Sequence, residues 1–269
     1  MPDFTRPTRL ADALAMLGAG RILAGGTDIY PTEAGRAIAG DVIDITGLAE
    51  LQGISQHAGG VRIGACVSWA EIAAAADLPM ALRQAARVVG GRQIQNAGTI
   101  GGNLCNASPA ADGVPPLLVL EAQVELASVR GVRQLALGDF LIGPRKVDLA
   151  ADEVLVAVHL PTLRGETRFL KLGARAYLVI SIAMVAVRLV VARGVVVEAA
   201  LAVGACSGVA RRLPGVEAGL VGVPVGELRI LDSDVAAALD PMDDLRGSAG
   251  YRAGAAAELL RRAVAEVLA

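Results

Sequence analysis

The sequence predicts an α+β fold with mixed sheets, and three observations predict it. Short apolar runs broken by Gly, Asp and Asn fill the first half of the chain. Two long Val- and Ala-rich runs, Ala183–Ala192 and Val195–Gly204, come later and lead to a closing amphipathic helix. The apolar mass is aliphatic: 54% of the 269 residues are hydrophobic and only 3% aromatic, which suits helices packed closely on sheets.

Taken in order, apolar residues at helical spacing predict a helix over 10–17. Residues 21–24 read as a strand entering a glycine turn, and 41–45 as a strand ended by Thr46-Gly47. Residues 51–54 and 60–64 read as a meander of short strands. Ser68, with Glu71 three residues on, forms a capping box for a helix over 69–76. A helix over 79–89 leads to a second glycine turn, followed by a helix over 116–120 and a strand over 123–127. The pattern pauses at the charged, Gly-containing residues 163–166, the main expected boundary. The apolar stretch 177–192 is interrupted by Ser181 and Arg188 and falls short of the ~20 apolar residues that a membrane span requires, so it is read as a buried strand or helix–strand pair. The closing helix, 250–268, carries Leu259, Leu260, Ala263, Val264, Val267 and Leu268 on one side and Arg252, Glu258, Arg261, Arg262 and Glu266 elsewhere.

Composition excludes several functions. A net charge of −2, with no basic stripe, argues against nucleic-acid binding and against disorder. Charged residues Asp3, Arg6, Arg9 and Asp12 leave the N-terminus without a secretory apolar core, so a cytoplasmic protein is expected. Cys66, Cys105 and Cys206 are far apart, with no Cys-x-x-Cys, and His57 and His159 are the only histidines; no metal site is expected. His159 alternates along a strand and reads as a structural or surface residue, and Cys105 as a packing residue. No constellation for hydrolysis or nucleophilic catalysis is present, so no catalytic residue is assigned.

The chemistry concentrates in two glycine turns. One is Ala24-Gly25-Gly26-Thr27-Asp28-Ile29; the other is Thr99-Ile100-Gly101-Gly102-Asn103-Leu104, running on to Ser108 and Asp112. A lone Gly-Gly is ordinary turn punctuation. Two such turns, both beside Thr and Asn or Asp, fit a concavity where backbone N–H groups meet an anion such as pyrophosphate. Neither turn is a P-loop or a dinucleotide fingerprint. The amides of Gly25, Gly26, Thr27, Gly101 and Gly102 are the expected donors, joined by the side chains of Thr27, Thr99 and Asn103. Asp28 would accept N–H bonds from its own turn or meet sugar hydroxyls. Asp112 also reads as an N-cap for the following helix.

At these residues the chain resembles the FAD-binding medium subunits of the molybdenum hydroxylases. The similarity continues through Phe4-Thr5-Arg6-Pro7, Gly143-Pro144-Arg145-Lys146, Asp152-Glu153-Val154-Leu155, Lys171-Leu172-Gly173-Ala174-Arg175 and Gly204-Ala205-Cys206. The resemblance implies a two-part FAD-binding fold of the vanillyl-alcohol oxidase (PCMH) type, residues 1–56 and 57–165, then a C-terminal α+β domain of the CO dehydrogenase flavoprotein type, residues 166–269. It implies that residues 24–29 and 99–103 surround the FAD pyrophosphate and ribityl, and that Ser108, Asp112, Leu155 and Lys171 contribute to the same site. A Lys171 cation near the ring would favour reduced flavin; its other reading is a snorkelling surface lysine. Tyr177 and Ile180 would approach the ring, in a segment that lacks the Asp many relatives carry. The implied partners are a large molybdopterin subunit and a small subunit with two iron–sulfur clusters, this chain passing electrons through FAD to NAD, oxygen or a quinone. The alternatives are a self-contained FAD oxidase or dehydrogenase and a flavin-less scaffold subunit.

Overall fold

Strand direction is segregated by region, so each sheet has one sense rather than mixing them. In the computed structural model, which describes residues 3–34, 36, 38–176 and 179–269, the first sheet is parallel. Asp41–Asp44 lies at its centre, with Phe4–Thr5 on one side and Gly20–Leu23 on the other. The helices Leu10–Ala15 and Ile29–Thr32 supply the crossovers. The second sheet is antiparallel, in the order Ile54–His57, Gly60–Gly64, Val154–Pro161, Gln123–Ser128, Gly131–Ala136. Residues 51–54 are not a strand: Ala49–Leu51 forms a 3-10 turn and the strand starts at Ile54.

Between Gly64 and Gln123 the chain makes a run of short helices: Trp69–Ala74, Met80–Val88, Arg92–Ala97, Ile100–Asn106 and Val114–Val119. Ser68 caps the first of these as a full capping box, its Oγ accepting from the Glu71 amide and the Glu71 carboxylate accepting from the Ser68 amide. Trp69, Ile72, Leu82, Ile100, Leu104 and Leu117 from these helices join Ile43, Ile63, Leu126 and Val158 of the two sheets in one core.

The third sheet, Glu166–Leu172, Ala183–Ala192, Val195–Gly204 and Arg211–Arg212, is antiparallel and covered on both faces. Alternation divides its side chains. Met184, Ala186, Ala200 and Ala202 face the first core, whereas Val185, Val187, Leu201 and Val203 face the helix Ala249–Leu268 through Ala256, Leu260, Ala263 and Val264. Arg252 does not lie on that helix's outer side. It is 2% exposed, and its Nη1 donates to the carbonyls of Ile182 (2.6 Å) and Ala205 (3.0 Å). Arg188, also buried, joins the two halves: it donates to the Val119 and Arg164 carbonyls and pairs with Glu121 and Glu198, both at 2.9 Å. No helix among the described residues is long and apolar enough to cross a membrane.

Candidate cofactor site

The strand Gly20–Leu23 ends on the first glycine turn. Gly26 has a left-handed φ of 66°, and the Tyr30 ring occupies the space its Cβ would need, so only glycine fits there. At Gly25 a Cβ would lie 1.8 Å from the Ala97 carbonyl oxygen, because the turn rests main chain to main chain on residues 97–98. The amides of Gly25, Gly26, Thr27 and Asp28 find no acceptor among the described residues. Donors left open on a partly exposed turn are available to a ligand.

The second glycine segment is the start of a helix, Ile100–Asn106, rather than a turn. Thr99 is its N-cap, and the Thr99 Oγ1 accepts from the Gly102 amide at 3.0 Å. The Gly101 amide donates to the Ala65 carbonyl (2.9 Å) and the Ile100 amide to the Val67 carbonyl (3.0 Å). The expectation that the Gly101 and Gly102 amides point to an anion is therefore corrected: both are used within the protein. Their glycine character has another cause at Gly101, where a Cβ would come within 2.8 Å of both the Ala65 Cβ and its carbonyl oxygen. Asn103 keeps a buried Oδ1 with no hydrogen-bond partner among the described residues, an orphan acceptor that a bound donor would satisfy.

The two segments share one cavity of about 400 Å³. Residues 24–29, Thr99, Gly101, Gly102, Asn103 and Leu155 line it, together with apolar walls from Ile22, Ile45, Trp69, Val89, Ile94 and Leu149. Leu155 stands where the strand Val154–Pro161 slips register against Gln123–Ser128, a bulge beside the cavity. Beside it Glu153, 8% exposed, also lines the wall. Hydrogen bonds from Arg133 hold its carboxyl below the usual carboxylate range. Cys105 also lines the cavity, and burial pushes its thiol up to about 12, consistent with a packing role.

Ser108, Asp112 and Lys171 lie outside this lining. The Ser108 Oγ accepts from the Ala110 amide (3.3 Å). Asp112 is not the N-cap of the next helix, a position held by Gly113. Its carboxylate instead accepts from the Lys171 Nζ and the Ser181 Oγ, both at 2.6 Å, across the junction of the two halves. Burial pushes the Asp112 carboxyl up, while Lys171 and Ser181 pull it down. Lys171 is inside the strand Glu166–Leu172, its side chain 11% exposed, so it is neither a surface lysine nor an uncompensated cation. It does line a second cavity, of about 300 Å³, with Val88, Gly90, Gly173, Arg175 and Val179. Residues 88–90 thus border both cavities. Ile180 is 52% exposed, and Tyr177 lies outside the described residues.

Three polar contacts at the site had no local sequence signal. Asp28, expected to bond within its own turn, makes no side-chain cap for the helix it precedes. It reaches instead to Asn106 Nδ2 (3.3 Å) and Arg145 Nη1 (3.2 Å). Arg21, on the strand before the turn, lines the cavity and pairs with Glu33 at 3.1 Å. His159 pairs with Glu125 at 2.6 Å on the second sheet, away from the cavity lining. Among the described residues no cluster of three or more His, Cys, Asp or Glu is placed to hold a metal ion.

Known proteins are similar to this chain in sequence and fold. Residues 2–163 match the family described as the FAD binding domain in molybdopterin dehydrogenase, and residues 168–267 the CO dehydrogenase flavoprotein C-terminal domain. The chain is 32% identical to the nicotine 6-hydroxylase medium subunit of Paenarthrobacter nicotinovorans, over 98% of this chain and 96% of that one. It is 33% identical to the carbon monoxide dehydrogenase medium chain of Afipia carboxidovorans, over 97% and 95%. Among solved structures, the carbon monoxide dehydrogenase of Hydrogenophaga pseudoflava superposes with a TM-score of 0.92 at 26% identity, covering 99% of this chain and 97% of that chain. The chain belongs to the FAD-binding medium subunits of the molybdenum hydroxylases, with the two-domain α+β fold of that family.

Proposed function

We propose that the cavity between the two glycine segments holds FAD, and that the chain relays electrons between iron–sulfur clusters of a partner subunit and a soluble or membrane-borne acceptor. The observation that carries this reading is the meeting of both glycine segments on one cavity, with the amides of Gly25, Gly26, Thr27 and Asp28 unclaimed. The residues present fit the cofactor. Open amides suit the pyrophosphate, the orphan Asn103 Oδ1 suits a hydroxyl or amide donor, and Ile45, Trp69, Val89 and Leu155 suit an apolar ring.

When bound, FAD supplies the exchange between single-electron carriers and two-electron acceptors. The chain's own part is to hold and shield it. The first turn would grip the pyrophosphate by main-chain donors, with Ala24 and Ile29 flanking it and Thr27 adding a hydroxyl. Thr99, Gly101 and Gly102 would shape the opposite wall by their compactness. The Asp112–Lys171 pair lies outside this lining and would approach the cofactor only from the second cavity, where the Lys171 Nζ also donates to the Val88 carbonyl (3.3 Å), next to Val89 of the first. Residues 1–56 and 57–165 would then form the two jaws, with 166–269 covering one side.

In this reading the molybdopterin and the iron–sulfur clusters reside in a large and a small partner subunit, and hydroxylation takes place there. A tag on this chain should co-purify both partners and yield one flavin per chain. A solitary, monodisperse flavoprotein would favour a self-contained oxidase, and a colourless complex would favour a scaffold.

A further inference from the structure

We propose that Arg145 is a latch across the cavity mouth: it clasps Asp28 and Asn106, and so governs how fast the bound dinucleotide leaves. The inference rests on the reading of the cavity as an FAD site.

The flanks of the cavity meet at an inner and an outer contact. The inner one is the main-chain seat of Gly25 on residues 97–98. The outer one is made by three side chains from segments distant in sequence. Asp28 Oδ1 accepts from Asn106 Nδ2, Asp28 Oδ2 accepts from Arg145 Nη1, and the same Nη1 donates to Asn106 Oδ1. Asp28 and Asn106 belong to opposite flanks of the cavity lining, so the triangle bridges it. A carboxylate beside a phosphate site is unfavourable on its own, and the guanidinium offsets that repulsion.

The mounting of Arg145 suits a moving part on a fixed base. Its amide donates to the Ala107 carbonyl at 2.9 Å. Its left-handed φ of 57° places it at the tip of the small hairpin Leu141–Gly143 and Lys146–Val147. Pro144 braces the hairpin against Gly208, where a Cβ would lie 3.2 Å from the proline ring. The side chains of Arg145 and Asp28 themselves are 55% and 50% exposed, so the clasp can open without disturbing the core. An exposed ion pair of this kind is weak and salt-sensitive, which suits control of a rate rather than support of the fold.

The test follows FAD release from the flavin-loaded full chain, by the recovery of flavin fluorescence on dilution, in wild type, Arg145→Ala, Arg145→Lys and Asp28→Asn. Arg145→Ala and Asp28→Asn should release FAD roughly three- to tenfold faster, with Arg145→Lys in between. Raising salt from about 0.01 M to about 0.15 M should speed release from wild type but not from Arg145→Ala. A merely structural role would lower the melting temperature of the flavin-free chain, which should stay unchanged. Wild-type release from loaded Arg145→Ala, or an equal salt response in both proteins, overturns the latch. A wild-type chain that takes up no FAD overturns the site reading, and the latch with it.

Discussion

Gly25 and Ala97 meet with no room between them: the first glycine turn is seated on the peptide that precedes the second glycine segment, and a methyl group on Gly25 would fall 1.8 Å from the Ala97 oxygen. That seat sets the spacing of the two glycine segments main chain to main chain. Gly25→Ala must push the turn off residues 97–98, at a cost of about 1–3 kcal/mol for an overpacked contact. The variant should purify with less than about a tenth of the wild-type flavin while keeping its far-ultraviolet circular dichroism. Full flavin in Gly25→Ala would mean that the two glycine segments can part without loss of binding.

Trp69 is the only tryptophan and lines the same cavity, giving a built-in reporter. Its emission should be strongly quenched in the flavin-loaded chain and rise when FAD is stripped. Gly25→Ala should show the stripped level from the start. Emission that ignores flavin content would place the cofactor away from Trp69.

Arg188 supports the junction between the halves. Its guanidinium is buried, but its partners Glu121 and Glu198 are 51% and 40% exposed and can turn to water when it is lost. Arg188→Ala should therefore cost about 3 kcal/mol, the low end for breaking a buried charge network, and Arg188→Met roughly half as much, because its stem still packs. Urea unfolding measures both. Equal losses would assign the whole effect to the guanidinium and none of it to packing of the stem.

Acid should act through the loop before the last helix. The Arg246 amide, followed by the Arg252 and Arg246 side chains, holds the Asp244 carboxyl down from 3.8 to about 2. A carboxyl lowered in the folded state stabilises the protein above its unfolded value and loses that contribution as pH falls through the folded one. The stability gap between wild type and Asp244→Asn should hold from neutral pH to about 4 and close between about 4 and about 2. Urea midpoints taken from pH 7 to pH 2 test this, and a gap that survives at pH 2 would contradict it.

Thiol chemistry should be silent. With burial holding Cys66, Cys105 and Cys206 each at about 12, about one thiol in 10⁴ is ionised at pH 8. A thiol reagent should label none of the three in the native chain and all three once it is unfolded. Rapid labelling of Cys105 in native protein would show an activated thiol at the cavity.

What the sequence made legible was local. Ser68 and Glu71 announce their capping box in four residues, and the strands Ala183–Ala192 and Val195–Gly204 announce themselves by apolar runs broken only by Arg188 and Glu198. The α+β fold and the match to the flavin subunits followed from such signals and from the motif order. The strand Glu166–Leu172 was hidden because its charged, Gly-flanked start reads as a break. Gly101 and Gly102 were legible as compact residues but not as spent donors, because the acceptor of Gly101 is Ala65, on a different strand end. Arg252 reads only as lying off the apolar side of its helix, because helical spacing cannot show that the carbonyls of Ile182 and Ala205 wait beneath it. Asp112 with Lys171, and Asp28 with Arg145, are pairs of opposite charge separated by 59 and 117 residues, and only the folded chain brings them together.

The third sheet shows its alanines, 186, 200 and 202, to the flavin half and its valines to the final helix. A graft that exchanges C-terminal halves between relatives must therefore carry that alanine floor with it, since a bulkier floor would lift the whole flavin half. For the same reason heat should melt the chain in a single step, the two halves sharing one ceiling and one floor.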